Sequence, residues 1–190
     1  MNYQIQNTER VYEGFLKIDI IHAAFDAFDG SVLQKKFEVL EKGEAVAILV
    51  ENIDNGCFLM VKQFRMPAVI HENGWLLEIP AGMIDIGETP EETARREIME
   101  ELGYQITDLE YLFPFYATPG ASTERVHLFY TQVKSNDKIE KGGGVDGEVE
   151  DIEIVSINKN KLLNMIGNEL IDGKSIIALQ HYFLNKTFRK

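Results

Sequence analysis

Apolar and polar positions alternate with a strand's period along residues 15–40. Within that stretch, "FDAFDGSVLQKKFEV" sets Asp29-Gly30 between two alternating runs, which predicts a hairpin. "EAVAILV" (44–50) and "CFLMVKQFR" (57–65) are short apolar runs parted by Asn55-Gly56, and they predict two core strands joined by a turn. Further strands are predicted at "LEYLFPFYA" (109–117) and "ERVHLFYTQV" (124–133), with Thr118-Pro119-Gly120 between them, and at "EDIEIVSI" (150–157). "KLLNMIGNEL" and "SIIALQHYFLNK" read as two helices separated by Asp172-Gly173. No repeat and no low-complexity tract is present; "KGGGVDGEVED" (141–151) is the one stretch with a flexible composition. The pattern is that of a mixed α/β chain, strand-rich in front, with helices in the middle and at the end.

The middle helix carries its own punctuation. Thr89 is a natural N-cap, Pro90 suits the first helical position, and Glu92 closes a capping box. Gly103 is the expected stop. Ala94, Ile98 and Leu102 recur every four residues and form the buried stripe. Glu97, Glu100 and Glu101 then share a face, where like charges cost a few tenths of a kcal/mol per pair. Arg96 can offset part of that through Glu92 and Glu100, each four residues away. An acidic face of this kind is commonly just solvated. Here it flanks the buried stripe and follows "PAGMIDIGE", a loop with glycines that let backbone approach a ligand. Carboxylates and carbonyls at one point make a hard-cation site, suited to magnesium or manganese.

Composition narrows the class. The 190 residues are 45% hydrophobic and 26% charged, as expected of one globular domain with a real core. No apolar run approaches the roughly 20 residues of a membrane span, and "MNYQIQNTER" lacks a signal sequence's apolar stretch. The single cysteine, Cys57, excludes an internal disulfide and points to a reducing compartment, so a cytoplasmic location is expected. With 31 Asp+Glu against 19 Lys+Arg, a nucleic acid is a poor partner. A small phosphorylated ligand is still possible where cations sit between it and the carboxylates.

Gly82, five residues, Glu88, seven residues, then Arg96-Glu97-Ile98-Met99-Glu100-Glu101-Leu102-Gly103-Tyr104 resembles the Nudix box, glycine-x5-glutamate-x7-arginine-glutamate-aliphatic-x-glutamate-glutamate-x-glycine-aliphatic. Tyr104 at the closing aliphatic position is the one departure, and it touches packing rather than metal binding. Pro119, fifteen residues after the box, resembles the mark of the ADP-ribose pyrophosphatase branch, as do "LEIPAG", "VKQFR", "GEVEDIEIV" and "DGKSIIALQ". The triple glycine at 142–144 and "DGK" at 172–174 are more similar to GDP-mannose-cleaving members. These patches run from about residue 36 to 182.

The resemblance implies a Nudix fold, a mixed β-sheet sandwiched between helices (α-β-α), with an N-terminal antiparallel extension. Residues 1–42 would form that hairpin extension and cross to a partner in a homodimer, and 43–190 the Nudix domain. The implied activity is metal-dependent hydrolysis of a nucleoside diphosphate sugar: ADP-ribose to AMP and ribose 5-phosphate, or alternatively GDP-mannose or another such sugar. Mg²⁺ is the implied cofactor, with Mn²⁺ as a substitute. By position, Glu97, Glu101 and the Ala81 carbonyl would be metal ligands, with Glu100 a further ligand or a carboxylate behind them. Glu100 and Glu101 count among the catalytic groups. Gly82, Glu88, Arg96 and Gly103 would be structural.

The base in this branch comes from a late acidic loop, which here makes Glu148 the base and Glu150 a third metal ligand. Two additional residues between the glycines and "EDI" leave that register open by one or two positions, and a solvated linker is the alternative. Arg65, Gly82, Met83, Glu124, Lys174, Lys36, Glu38 and Phe15 match substrate-contacting positions. Arg65 could equally be a surface charge and Phe15 a core residue. A Nudix-fold binding module that has lost catalysis is disfavoured because no acidic box position is lost. A calcium-binding or acidic interaction protein is disfavoured by the glycine-and-box spacing.

Overall fold

The computed structural model describes residues 1–144 and 151–188. The chain divides into two compact units, Met1–Glu44 with Tyr116–Arg125, and Ala45–Phe115 with Val126–Lys190.

The first unit is an antiparallel sheet of β1 (Tyr3–Glu13), β2 (Lys17–Asp26) and β3 (Val32–Glu41), in that order. The expected β2–β3 hairpin forms around Asp29-Gly30: Ala27 N donates to Ser31 O, and the Asp29 carboxylate accepts from Ser31 N. Pattern reading missed β1. Every one of its residues is exposed, so it carries no buried stripe to reveal it; its pairing to β2 creates it. The Thr118–Thr123 turn joins the same unit, with Leu40 N donating to Ala121 O and Thr123 N to Leu40 O.

Apart from the end residues Tyr116 and Arg125, the second unit holds β4 (Ala45–Asn52), β5 (Cys57–Phe64), β6 (Trp75–Glu78), β7 (Ala81–Met83), β8 (Glu110–Tyr116), β9 (Arg125–Val133) and β10 (Glu153–Asn158). Its sheet runs β10-β5-β4-β9-β8, with β6 added on β5 and β7 on β4. β4 lies parallel to β9 and antiparallel to β5 and β7, so the sheet is mixed. All eight residues of β4 are buried, and burial on both faces explains the unbroken apolar run of its first six. Alternation sorts them between two cores. Val46, Ile48 and Val50 pack with Ala94, Ile98 and Leu102 of the middle helix. Ala45, Ala47 and Leu49 pack with residues of α2 (Lys159–Met165) and α3 (Gly173–Phe188). Helices therefore cover both faces. Each fully buried Ile or Leu stabilises this layering by about 1.5–3 kcal/mol, and truncating Ile98 to Ala would cost about 2–5 kcal/mol.

The middle helix is α1 (Pro90–Glu97), continued by a π-helical turn, Ile98–Leu102. Both halves of its capping box are present: Glu92 N donates to Thr89 Oγ1 at 3.3 Å, and Thr89 N to Glu92 Oε2 at 2.8 Å. Gly103 stops it with φ 77°. The helix expected over "KLLNMIGNEL" is shorter than its apolar pattern suggested. It ends at Met165, and Gly167, at φ 82°, turns the chain so that Gly167 N donates to Leu170 O. Among the described residues no helix is long and apolar enough to cross a membrane.

Candidate active site

β7 brings the glycine loop onto the sheet: Ala81 pairs with Ala47, Gly82 with Val46 and Met83 with Ala45. The chain then enters α1 under the Thr89 cap, which faces the box carboxylates toward β7. Glu97 and Glu101 are 8% and 4% exposed, and the Ala81 N–H donates to Glu101 Oε2 at 3.3 Å. Gly82 is the point of closest approach. A Cβ there would lie 1.9 Å from Glu97 Oε1, so only glycine lets the carboxylate lie against the strand.

Arg96 braces this arrangement. Its Nε donates to Glu88 Oε1 at 3.1 Å, its Nη1 to Glu97 Oε1 and Glu100 Oε2 at 2.8 Å each, and its Nη2 to Met83 O at 3.2 Å. Glu88 also accepts from Thr93 Oγ1 at 2.7 Å. The fork thus ties loop, strand and helix together. Burial works against the guanidinium's charge, but the hydrogen bond to Glu88 and the charges of Glu97 and Glu100 raise its pKa well above the ordinary value. The same bond to Arg96 holds the Glu88 carboxyl low. Glu92, suggested as another partner of Arg96, is engaged by the cap instead.

The end of the helix is capped from a distance. Gly143 N donates to Glu101 O at 2.9 Å and Gly144 N to Glu100 O at 3.1 Å, while Ile139 N and Glu140 N both donate to Gly103 O. A Cβ on Gly142 would meet Leu102 C at 2.5 Å. The triple glycine is therefore packed on the backbone that carries two of the box glutamates, satisfying carbonyls that a helix end leaves open. Single π turns of this kind recur at functional sites.

These residues suit a hard divalent cation: the donors are all oxygen, and two of them are buried carboxylates. Among the described residues no group of three or more His, Cys, Asp or Glu side chains converges on one point. A cation here would thus need main-chain or water oxygens beside Glu97 and Glu101. Glu148 and Glu150, the expected base and third ligand, lie outside the described residues.

A second cluster belongs to the same unit. Glu78, 2% exposed at the end of β6, takes the fork of Arg65 on both oxygens, Nε at 2.8 Å and Nη2 at 2.9 Å. Lys174 Nζ donates to Glu78 Oε2 as well, and to Asp172 Oδ1 at 2.9 Å. Asp172 also caps α3, accepting from Ser175 N at 3.0 Å, and the Ser175 hydroxyl accepts from Ile79 N at 2.8 Å. "DGKS" is therefore a helix cap that pins α3 to the strand end. The Arg65 pKa is raised by its hydrogen bond to Glu78 first, and by the charges of Glu78, Glu101 and Asp172, which places this cation within the field of the box. Burial pushes the Glu78 carboxyl up, but Arg65 and Lys174 outweigh it and hold the group low.

The structure brings Arg65, Gly82, Met83 and Lys174 into the unit that carries the box. Phe15, Lys36, Glu38 and Glu124 belong to the first unit. There Phe15 is fully exposed between β1 and β2, Lys36 pairs with Glu38 at 3.9 Å, and Glu124 pairs with Lys42. Sequence reasoning missed Glu78 as a hub. Its signal was available: a lone acid inside the apolar "WLLEIPAG" run is a buried charge in need of partners. It also missed Glu51, buried on β4, which accepts from Tyr182 at 2.8 Å and from Tyr130 and Lys159.

A mixed sheet between helices, with a glycine-bearing strand laid on an arginine-braced acidic helix, defines the class. The chain belongs to the Nudix family of hydrolases: the NUDIX domain profile matches residues 41–172. It is 40% identical over 162 residues to the GDP-mannose pyrophosphatase of Yersinia enterocolitica, covering 83% of each chain. It is 37% identical over 165 residues to the GDP-mannose pyrophosphatase of Pectobacterium atrosepticum, covering 85% of this chain and 84% of that one. A solved structure described as an ADP compounds hydrolase superposes with a TM-score of 0.75 at 21% identity, over 100% of this chain and 98% of the other, and shares its fold.

Proposed function

We propose that this protein hydrolyses the diphosphate bond of a nucleoside diphosphate sugar, with a divalent cation as cofactor. The observation that carries the proposal is the pair of buried box carboxylates, Glu97 and Glu101, packed against Gly82 and braced by Arg96. Glu97, Glu101 and the Ala81 carbonyl would hold the cation. When bound, it would supply positive charge against the diphosphate oxygens and lower the pKa of a nearby water. Arg96 keeps Glu97 and Glu100 in place, and Arg65 and Lys174 offer two cations to a diphosphate. Glu148 is the proposed acceptor of the attacking water's proton, a role that typically contributes about 10²–10⁴-fold, and Glu150 a further ligand. Water attacks one phosphorus, the P–O–P bridge breaks, and a nucleoside monophosphate and a sugar phosphate leave.

Two relatives at 37–40% identity named for GDP-mannose favour that substrate. Pro119 after the box favours ADP-ribose, the second reading. We further propose Mg²⁺, with Mn²⁺ as a substitute, a cytoplasmic location, and a homodimer formed through residues 1–42. The exposed Tyr3, Ile5, Val11 and Tyr12 of β1 support that pairing. Light scattering that returned the 21.7 kDa monomer mass would reject the dimer.

The deciding experiment incubates protein and Mg²⁺ with a nucleotide-sugar panel and follows GMP, AMP and sugar phosphate by chromatography. GDP-mannose should yield GMP and mannose 1-phosphate, EDTA should abolish turnover, and Mg²⁺ or Mn²⁺ should restore it. Release of free base or free sugar, or full turnover in EDTA, would refute the proposal.

A further inference from the structure

We propose that Glu78 is a positioning residue for anion binding, holding Arg65 and Lys174 side by side before a diphosphate arrives. The inference rests on the reading of this unit as a diphosphate site and adds to it a residue that touches no substrate. One buried carboxylate receives both cations: Arg65 through Nε and Nη2, Lys174 through Nζ. Glu78 itself cannot be reoriented cheaply. It sits at the end of a strand paired to β5, opposite Val61, and is 2% exposed. Arg65 is 42% exposed and Lys174 17%, so both cations are more open to solvent than the carboxylate that holds them. Two of the five N–H groups of the guanidinium go to Glu78, and among the described residues no other hydrogen bond uses the rest of that fork.

Lys174 is fixed from its other side too. Asp172 accepts from its Nζ while capping α3, and Ser175 ties the same turn to the Ile79 N–H. The four charges sum to zero, so the cluster is stable without ligand, yet both cations stay held in place. Long basic side chains otherwise lose rotamer freedom when they bind, and holding them beforehand removes that cost.

The sign of the effect separates positioning from simple charge. A carboxylate near a phosphate repels it, so Glu78→Gln would tighten anion binding if only background field mattered. Positioning predicts the reverse, because ordering two freed side chains should weaken binding roughly tenfold.

The test titrates the 190-residue chain with inorganic pyrophosphate by calorimetry. Wild type, Glu78→Gln, Arg65→Ala/Lys174→Ala and the triple variant are compared, with thermal melts alongside. The expected result is a Kd raised about tenfold by Glu78→Gln, and no further change when it is added to Arg65→Ala/Lys174→Ala. With a nucleotide-sugar substrate, KM should rise by the same factor while kcat changes little. Tighter or unchanged binding in Glu78→Gln, or an equal loss in both backgrounds, would overturn the proposal. Should Glu78→Gln not fold, the single Arg65→Ala and Lys174→Ala variants decide. Cations sharing one carboxylate must show coupled losses, and independent losses would overturn it. If wild type hydrolyses no nucleotide sugar but the pyrophosphate cycle behaves as expected, the functional proposal fails while this one stands.

Discussion

Gly82→Ala isolates the tightest contact of the site. Gly82 lies in β7 without a left-handed φ, so alanine adds no backbone strain there. It also removes unfolded-chain freedom worth about 0.4–1 kcal/mol. The new Cβ would stand 1.9 Å from Glu97 Oε1 and 2.1 Å from its Cδ, whereas ordinary contact begins at 3.4 Å. The difference between 1.9 and 3.4 Å requires the carboxylate to retreat by about 1.5 Å. A side-chain end can make that move without unfolding anything. Metal–ligand bonds tolerate only about 0.2 Å, so the retreat removes Glu97 from the donor set. The 2.8 Å bond from Arg96 to Glu97 would break with it. The expected result is an Mn²⁺ affinity lower by at least about tenfold and a kcat lower by about 10²-fold. Tm should move by no more than about 4 °C. Mn²⁺ titration followed by electron paramagnetic resonance, steady-state kinetics and a thermal melt make the three measurements. Unchanged Mn²⁺ affinity in folded Gly82→Ala would refute Glu97 as a ligand.

Four further substitutions have expected outcomes. Glu101→Gln should cut kcat by orders of magnitude with the fold intact by circular dichroism; near-normal kcat would mean the cation binds elsewhere. Glu148→Gln should lower kcat with little change in KM, and Glu150→Gln should instead weaken Mn²⁺ binding. Exchanged phenotypes would move the base to Glu150, and no tenfold loss in either would send the search back to Glu100. Glu51 supplies a pH test: burial opposes its ionisation, but hydrogen bonds from Lys159, Tyr130 and Tyr182 pull its pKa from the ordinary 4.5 down to about 2. A depressed carboxyl contributes stability above its unfolded pKa and loses it as pH falls through the folded one, here between about 4.5 and 2. Glu51→Gln should be less stable than wild type at pH 7 by up to about 3 kcal/mol, and the gap should close across that window in denaturant melts. A gap independent of pH would show that packing, not charge, sets the contribution of Glu51.

Local geometry wrote much of this protein into its sequence. The Thr89 cap, the Gly103 stop and the Ala94, Ile98, Leu102 stripe depend on residues three to five positions apart, so a one-dimensional pattern suffices to find them. The buried run of β4 is legible for the same reason, since strand alternation and apolarity are properties of consecutive residues. Glu88, Arg96 and the box carboxylates are legible through spacing as well, because one short loop and one helix carry them all. What tertiary structure alone decided lies in pairs distant along the chain. Arg65 and Glu78 are 13 residues apart, and Glu78 and Lys174 are 96. No periodicity relates them; they meet because β5, β6 and the start of α3 converge. Gly143 and Gly144 look in sequence like slack, and only the folded chain sets their N–H groups on the carbonyls of Glu101 and Glu100. β1 exists only through its pairing with β2, having no buried face of its own to announce it. Short-range hydrogen bonds and side-chain period are encoded residue by residue, whereas which buried charge meets which partner depends on how the layers close.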